Sequence, residues 1–355
     1  MRCNVNLAEA DLNRYASQIR LKELGIEGQR RLKSSSVLVV GAGALGSAVL
    51  QYLAAAGVGL IGILDNDWVD ETNLNRQVLY SAKDVNKPKP LAARDRLKLL
   101  NSEIVYKIHF IRLDRTIALK VIREYDIVVD CTDNFATRYV INDACTILNK
   151  PWVYGAILRF SGQVIVLNYN DGPTLRCIFP DQPHSIEIPT CNELGIIGTV
   201  AGMTGTIQAN EVIKMITGSG EVLSGRMLTV DMLDFNMTTT SFERRPDAKL
   251  EEMGNYPDDD PGQEKVNEIS SGMLRQMLAE NPDIPVIDLR DPNDYSDIGF
   301  RTIKVLHYEV SDSMHLFSGK DQVVFHCRSG SRSASVINYL KKVHNAGFQM
   351  YSLII

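Results

Sequence analysis

The stretch SSSVLVVGAGALGSAVLQYLAAAG, residues 34–57, constrains the fold of this 355-residue chain more than any other part. Its apolar start predicts a buried strand, Gly41, Gly43 and Gly46 form a GxGxxG turn, and the apolar residues after the turn predict a helix. In such a turn the backbone comes close to a phosphate, which the first N–H groups of the helix face. The stretch therefore predicts a nucleotide site, but its glycines fit a dinucleotide and ATP equally well.

The order of predicted elements indicates an α/β protein. Strands in VLVV, LIGILD and DIVVDCTDN alternate with helices, which predicts a Rossmann-like, doubly wound, mainly parallel sheet. Residues 151–168 read as a strand-rich extension, and residues 196–218 read as a long packed helix. A polar segment rich in Pro and Asp follows, and a second set of strands and helices comes after it. We expect a first domain at 1–245, a flexible linker at 246–265 and a small α/β domain at 266–355.

Composition and charge exclude several classes of protein. The formal net charge is −5 and no long Lys/Arg run occurs, so we expect no nucleic-acid partner. Apolar runs stop short of the roughly twenty residues that a membrane helix needs, and the polar N-terminus resembles no signal peptide. The six cysteines form no CxxC pair, which suits a reducing compartment. We therefore expect a cytoplasmic protein without a membrane partner.

Polar residues after two of the predicted strands discriminate between the two nucleotides. Asp65 follows the glycine turn by about twenty residues, where an acid accepts ribose hydroxyls. Arg76 and Lys89 follow that strand, and Asp133 follows the next predicted strand along the chain, DIVVDCTDN. A nicotinamide site needs little positive charge, whereas a triphosphate needs cations and a metal. These residues favour ATP.

Five motifs in a fixed order extend this interpretation. GAGALG, DNDWVDETNLNRQ, KPK, DCTDN and GTIQANEVIKMITG resemble the ATP-binding half of the MoeB/ThiF/HesA branch of ubiquitin-activating-enzyme-like proteins, over residues 10–245. The resemblance implies a homodimer that uses ATP and Mg²⁺ to adenylate the C-terminal Gly-Gly carboxylate of a ubiquitin-like sulfur carrier protein. It also implies a role for each polar residue of the site. Asp65 would bind the ribose of ATP, and Asp67 would lie near the metal or the reacting phosphate. The phosphates would be held by Asn73, Arg76 and Lys89, and Mg²⁺ by Asp133.

The sequence departs from the family pattern at three places. Ser17 stands where relatives carry an arginine that reaches the triphosphate of the neighbouring subunit. Relatives often hold zinc on two CxxC pairs, but only Cys177 is present here, so we expect no zinc. Cys191 in IPTCNELG matches the mobile-loop cysteine that, in some relatives, takes the carrier as a covalent intermediate. A passive thiol is an equally good interpretation of Cys191.

The second domain carries its own reactive loop. VVFHCRSGSRSA places Cys327 at the end of a strand, before a helix, so that N–H groups and arginines favour a thiolate. With IDLRDPNDY, the loop resembles a rhodanese, whose cysteine carries sulfur as a persulfide. The chain ends at YSLII, where relatives continue, so we expect a shortened domain. The predicted sulfur-carrying loop consists of Cys327, Arg328, Ser329, Gly330, Ser331 and Arg332.

Together the two halves predict adenylation of a carrier followed by transfer of persulfide sulfur to form a thiocarboxylate, with a cysteine desulfurase or thiosulfate as the donor. Such carriers serve the molybdopterin, thiamine or cysteine pathways. Two other classes of function stay open. A nicotinamide-dependent oxidoreductase would use the glycine turn alone, and a non-catalytic carrier-binding protein would explain Ser17 and the missing zinc ligands.

Overall fold

In the computed structural model the described residues are 6–183, 195–245, 250–254, 256, 266–290, 294, 296–328, 330–343 and 347–354. The chain divides into two compact units. The first comprises Met1–Gln182 and Thr190–Tyr256, and the second comprises Pro183–Pro189 and Pro257–Ile355. Cys191, Ser329 and most of the predicted linker lie outside the described residues. No helix in the described ranges is long and apolar enough to cross a membrane.

Helices and strands alternate through the first half of the first unit. The helices are α1 (Glu9–Arg14), α2 (Ala16–Ile19), α3 (Gly25–Ser34), α4 (Ala44–Ala56), α5 (Lys89–Leu100), α6 (Ala118–Ile122), α7 (Phe135–Ile147), α8 (Leu175–Ile178) and α9 (Gly198–Thr217). The strands are β1 (Ser36–Val40), β2 (Leu60–Leu64), β3 (Val105–His109), β4 (Ile127–Asp130), β5 (Trp152–Leu158), β6 (Ser161–Leu167), β7 (Arg226–Asp231) and β8 (Asn236–Ser241).

These eight strands form one sheet in the order β3-β2-β1-β4-β5-β6-β7-β8. Counted along the sheet, neighbouring strands from β3 through β2, β1 and β4 to β5 are parallel, and those from β5 to β8 are antiparallel. The chain order reverses at β1, which lies between β2 and β4. In open α/β sheets, ligands bind at such a switch point, beyond the carboxyl ends of the strands. The doubly wound sheet and its antiparallel extension confirm the predicted fold class.

Both faces of this sheet are covered, as the apolar run of β1 predicts. Val37 and Val39 belong to a core that contains α4 and α9, whereas Leu38 and Val40 belong to a second core that contains α6 and α7. Successive strand residues point to opposite faces, so a strand buried on both faces is apolar throughout. The residues left for chemistry are therefore those just beyond the strand ends.

The second unit is a smaller α/β structure. Its elements are β9 (Asn267–Ser270), α10 (Ser271–Glu280), β10 (Val286–Asp288), β11 (Ile303–Lys304), β12 (Gln322–His326), α11 (Ser331–Val343) and β13 (Gln349–Ile354). Its five strands form a parallel sheet in the order β11-β10-β12-β13-β9. β12 is the central strand, and both of its faces are buried. Cys327 follows it directly.

Candidate functional site

The glycine turn between β1 and α4 has a conformation that side chains do not permit. Gly41 has φ of +94°, and a Cβ added there would lie 2.6 Å from the carbonyl oxygen of Cys131. A Cβ on Gly46 would lie 2.1 Å from the carbonyl oxygen of Gly41. Gly43 precedes α4 and provides no side-chain cap. The first N–H groups of a 13-residue helix are thereby left for an external acceptor such as a phosphate.

The carboxylate of Asp65 fixes the glycine turn through hydrogen bonds. Its two carboxylate oxygens accept hydrogen bonds from the N–H of Ala42 at 2.7 Å and from the N–H of Asp67 at 2.8 Å. Burial raises the pKa of the Asp65 carboxyl above its usual value, against the opposing effects of Lys89 and these two hydrogen bonds. Each carboxylate oxygen can accept more than one hydrogen bond, so Asp65 retains capacity for ribose hydroxyls.

Lys89 and Asp67 lie together beside Asp65. The ammonium group of Lys89 is 2.9 Å from the exposed carboxylate of Asp67, while the Lys89 side chain is almost fully buried. The N–H of Lys89 also donates to the carbonyl of Asp67, which fixes the start of α5 against the end of β2. A buried lysine facing a solvent-accessible carboxylate is a cation that can pair instead with an entering phosphate.

Asn73 and Arg76 lie on the loop after β2. Asn73 ends a short 3₁₀ helix, Glu71–Asn73, which the side chain of Asp70 caps through the N–H of Thr72. The guanidinium of Arg76 donates to the carbonyl of Thr72 and to Oδ1 of Asn75, at 2.9 and 3.1 Å. The Arg76 side chain is therefore bound to its own loop in this structure.

Asp133 lies on the loop after β4 and is exposed. The loop is shaped by Asp130, whose carboxylate accepts from the N–H and hydroxyl of Thr132 at 2.9 and 2.6 Å. Arg138 lies 3.3 Å from the other carboxylate oxygen of Asp130 and donates to the carbonyl of Thr132. Burial raises the pKa of Asp130, although Arg138 opposes this effect. Asp130 and Arg138 therefore position the turn that carries Asp133.

Three residues of this site were not predicted from the sequence. Besides Arg138, Tyr80 donates its hydroxyl to the carbonyl of Ala42 at 2.7 Å and so connects the glycine turn to the loop after β2. The side-chain amide of Gln77 is buried 3.8 Å from the point where a Cβ of Gly43 would lie. Its Oε1 has no hydrogen-bond partner among the described residues. Tyr80 and Gln77 follow Arg76 in NRQVLY, which is the signal that would have found them.

Two further predictions concern metals. Cys177 accepts hydrogen bonds at its sulfur from the N–H groups of Thr174 and Arg245, at 3.4 and 3.3 Å. In the ranges that the structure describes, no three His, Cys, Asp or Glu residues are grouped so that they could hold a metal ion. The absence of zinc stays a prediction. Mg²⁺ at Asp133 would complete its coordination with phosphate oxygens and water.

In the second unit Cys327 lies beyond the end of β12 and is buried. Its sulfur accepts from the N–H of Ser333 at 3.4 Å. Arg328 was predicted to flank the sulfur, but its guanidinium is 2.8 Å from the carboxylate of Asp294. Asp294 also accepts from Ser296 and lies near Arg290, so its pKa is held well below the usual range, mainly by the hydrogen bonds from Ser296. Gly330 has φ of +78°, as a tight loop before α11 requires.

The fold and the first site define a class: an α/β nucleotide-binding protein whose phosphate turn, acid and buried lysine meet at the switch point of the sheet. Residues 15–251 match the ThiF family, and the chain belongs to that family. The chain is 36% identical to the probable adenylyltransferase/sulfurtransferase MoeZ of Mycobacterium tuberculosis, over 96% of this chain and 90% of the relative. It is 44% identical to the sulfur carrier protein adenylyltransferase of Thermus thermophilus, over 66% of this chain and 89% of the relative.

A solved structure shows the same fold at lower identity. The crystal structure of E. coli MccB with MccA-N7isoASN superimposes with a TM-score of 0.60 at 23% identity, and the alignment covers 68% of this chain and 74% of that chain. The match to MoeZ includes the second unit, so the pairing of the two units is not peculiar to this chain. The predicted resemblance to the MoeB/ThiF/HesA branch is confirmed.

Proposed function

We propose that the first unit uses ATP and Mg²⁺ to adenylate the C-terminal carboxylate of a ubiquitin-like sulfur carrier protein, and that Cys327 of the second unit carries the sulfur. The observation that carries the first part is the cluster at the switch point. Asp65 holds the glycine turn while the buried Lys89 lies beside it. The relatives' names, adenylyltransferase and sulfurtransferase, support both parts.

The chemistry needs little from the protein besides position and charge. A C-terminal carboxylate is ionised near pH 7, so it attacks the α-phosphate without a general base and pyrophosphate leaves. The N–H groups at the start of α4 and the cations Lys89 and Arg76 would bind the phosphates, with Asn73 beside them. Arg76 must first leave its contacts with Thr72 and Asn75. Asp65 would bind the ribose, and Asp133 would bind Mg²⁺ with Asp67 near the metal.

Arginine from a neighbouring subunit is missing from this scheme, because Ser17 occupies its place on α2. Arg14 lies one turn earlier and donates to the carbonyl of Leu100 at 3.0 Å.

The family match supports ATP over a nicotinamide cofactor. A homodimer and a carrier ending in Gly-Gly belong to the same proposal.

The first test is exchange of labelled pyrophosphate into ATP, with a purified ubiquitin-like sulfur carrier that ends in Gly-Gly. Asp133→Ala should abolish exchange, because the metal loses its protein carboxylate, while the circular dichroism spectrum stays that of the wild type. Asp95→Ala is the matched control, since Asp95 is an exposed acid on α5 that pairs only with its neighbour Arg94 among the described contacts. Wild-type exchange in Asp133→Ala would refute the assignment, and no exchange in the wild type would favour a non-catalytic carrier-binding protein.

The second test concerns sulfur. The Cys327 thiolate would attack the outer sulfur of thiosulfate, a new S–S bond would form, and sulfite would leave with the electron pair of the broken S–S bond. Cyanide would then take the outer sulfur as thiocyanate and return the thiolate. We expect thiosulfate-treated wild type to release thiocyanate and Cys327→Ser to release none. Equal release from both proteins would remove Cys327 from the proposal.

A further inference from the structure

Two buried serines lie behind the sulfur of Cys327. Ser333 is in the first turn of α11, and Ser352 is on β13, where it pairs with Phe325 of β12. Both serines are fully buried, and Cys327 is 3% exposed. Hydroxyl groups in such an interior are costly unless they are hydrogen-bonded. Their hydrogen bonds therefore decide what the pair can do.

The side chains of Ser352, Ser333 and Cys327 contact one another in series. The Oγ atoms of Ser352 and Ser333 are 2.7 Å apart, and Oγ of Ser333 is 3.5 Å from the sulfur of Cys327. The Ser333 hydroxyl also donates to the carbonyl of Gly330 at 2.9 Å. Because a hydroxyl has one proton and two acceptor positions, Ser333 can direct its proton either to Gly330 or to the sulfur. Ser352 can donate to Ser333 in both cases.

We propose that Ser352 and Ser333 form a hydrogen-bond relay that stabilises the thiolate of Cys327. In the thiol state the S–H donates to Oγ of Ser333, and the Ser333 proton points to the Gly330 carbonyl. When the sulfur loses its proton, the Ser333 hydroxyl turns and donates to it, alongside the N–H of Ser333. A hydrogen bond to a charged acceptor is stronger than one between neutral groups, so the relay favours the charged form. Ser333 and Ser352 are positioning residues, since neither needs to touch the transferred sulfur.

The relay rests on Cys327 as the sulfur carrier of the proposed function, but its test does not require sulfur transfer. In the full-length protein, alkylation of Cys327 by iodoacetamide is followed between pH 5 and 9 by mass spectrometry of the peptide that contains it. We expect Ser333→Ala to move the pH profile by about one unit to higher pH, which is a roughly tenfold slower reaction on the rising part of the profile. Ser352→Ala should move it less in the same direction.

The double variant identifies a relay. Since Ser352 acts through Ser333, Ser333→Ala with Ser352→Ala should react like Ser333→Ala alone. Ser311→Ala is the matched control, because Ser311 also bonds a hydroxyl, that of Tyr339 at 2.9 Å, without a described contact to the sulfur. The control should follow the wild-type profile. Coincident profiles for Ser333→Ala and Ser311→Ala, or additive shifts in the double variant, would overturn the proposal.

Misfolding of a variant and failure of sulfur transfer can each be distinguished from failure of the relay. If Ser333→Ala does not give a folded circular dichroism spectrum, Ser352→Ala decides, and an unshifted profile there overturns the relay. If the wild type releases no thiocyanate from thiosulfate but the profiles move as expected, the proposed sulfur transfer fails and the relay stands. If every variant releases thiocyanate like the wild type and the profiles coincide, the relay fails and the sulfur transfer stands.

Discussion

Replacing Asp143 by alanine should destabilise the first unit by about 3 kcal/mol. The carboxylate lies on α7 with no exposed surface and accepts from the N–H of Gly254 and from Asn142, each at 3.0 Å, and from the hydroxyl of Tyr256. Arg176 lies 3.4 Å away. Breaking a buried ion pair costs about 3–5 kcal/mol, and we expect the lower end because Arg176 is partly exposed and water can reach it. Tyr256→Phe should cost about 1–2 kcal/mol, since it removes one donor.

Tryptophan fluorescence measures this effect in the first unit alone. The chain has two tryptophans, Trp68 and Trp152, and both belong to that unit. Trp152 is fully buried in the core that also contains residues of α7, whereas Trp68 is largely exposed. Urea unfolding followed at Trp152 should show a midpoint about 1 M lower for Asp143→Ala, given an m-value of about 3 kcal/mol/M for a unit of this size.

Glu124→Ala provides the control, because Glu124 forms an ion pair with Lys107 in which both side chains are almost half exposed. Such surface pairs contribute about 1 kcal/mol or less. If the midpoint for Asp143→Ala falls no further than that for Glu124→Ala, the buried network does not stabilise the unit and our reasoning is wrong. The network matters for more than stability, because Gly254 and Tyr256 belong to the segment predicted as a flexible linker. Their contacts with Asp143 hold Gly254 and Tyr256 on the first unit.

Two further predictions follow from the structure. Gly46→Ala should abolish ATP binding in a calorimetric titration, because its Cβ would lie 2.1 Å from the Gly41 carbonyl oxygen. Gly43→Ala is the matched control, since a Cβ there meets nothing closer than 3.8 Å, and equal loss of ATP binding in the two variants would contradict this reasoning. Burial lowers the pKa of His326 below its usual 6.5, so the imidazole of the unfolded chain takes up a proton at a higher pH than that of the folded chain. The stability that neutral His326 provides is therefore fully present above about pH 6.5 and should be lost as the pH falls toward the pKa of the folded state. The protection factors of the amides in residues 322–326, which correct for the slower intrinsic exchange at lower pH, should therefore fall between pH 7 and 5 in the wild type and fall less in His326→Gln.

Much of the candidate site could be predicted from the sequence, because its residues are close along the chain to strand ends. The glycine turn and Asp65 belong to one βαβ unit, β1-α4-β2, and Lys89 begins the next helix, α5, so all three lie near the carboxyl ends of the parallel strands. Arg138 and Gln77 escaped prediction for a different reason. An arginine within a helix and a glutamine within a loop look like surface residues, and their burial is visible only in the structure, although the place of Gln77 directly after Arg76 is a sequence signal for it.

Pattern and spacing determined the fold class and the position of both reactive loops, since apolar runs with glycine turns have few other stable arrangements. Contacts between residues far apart in sequence were decided by the tertiary structure alone. Asp143 meets Tyr256 across 113 residues, and Ser333 meets Ser352 from a different element. The physical reason is that the free energy of a buried polar group depends on which partners surround it, and no local pattern records those partners.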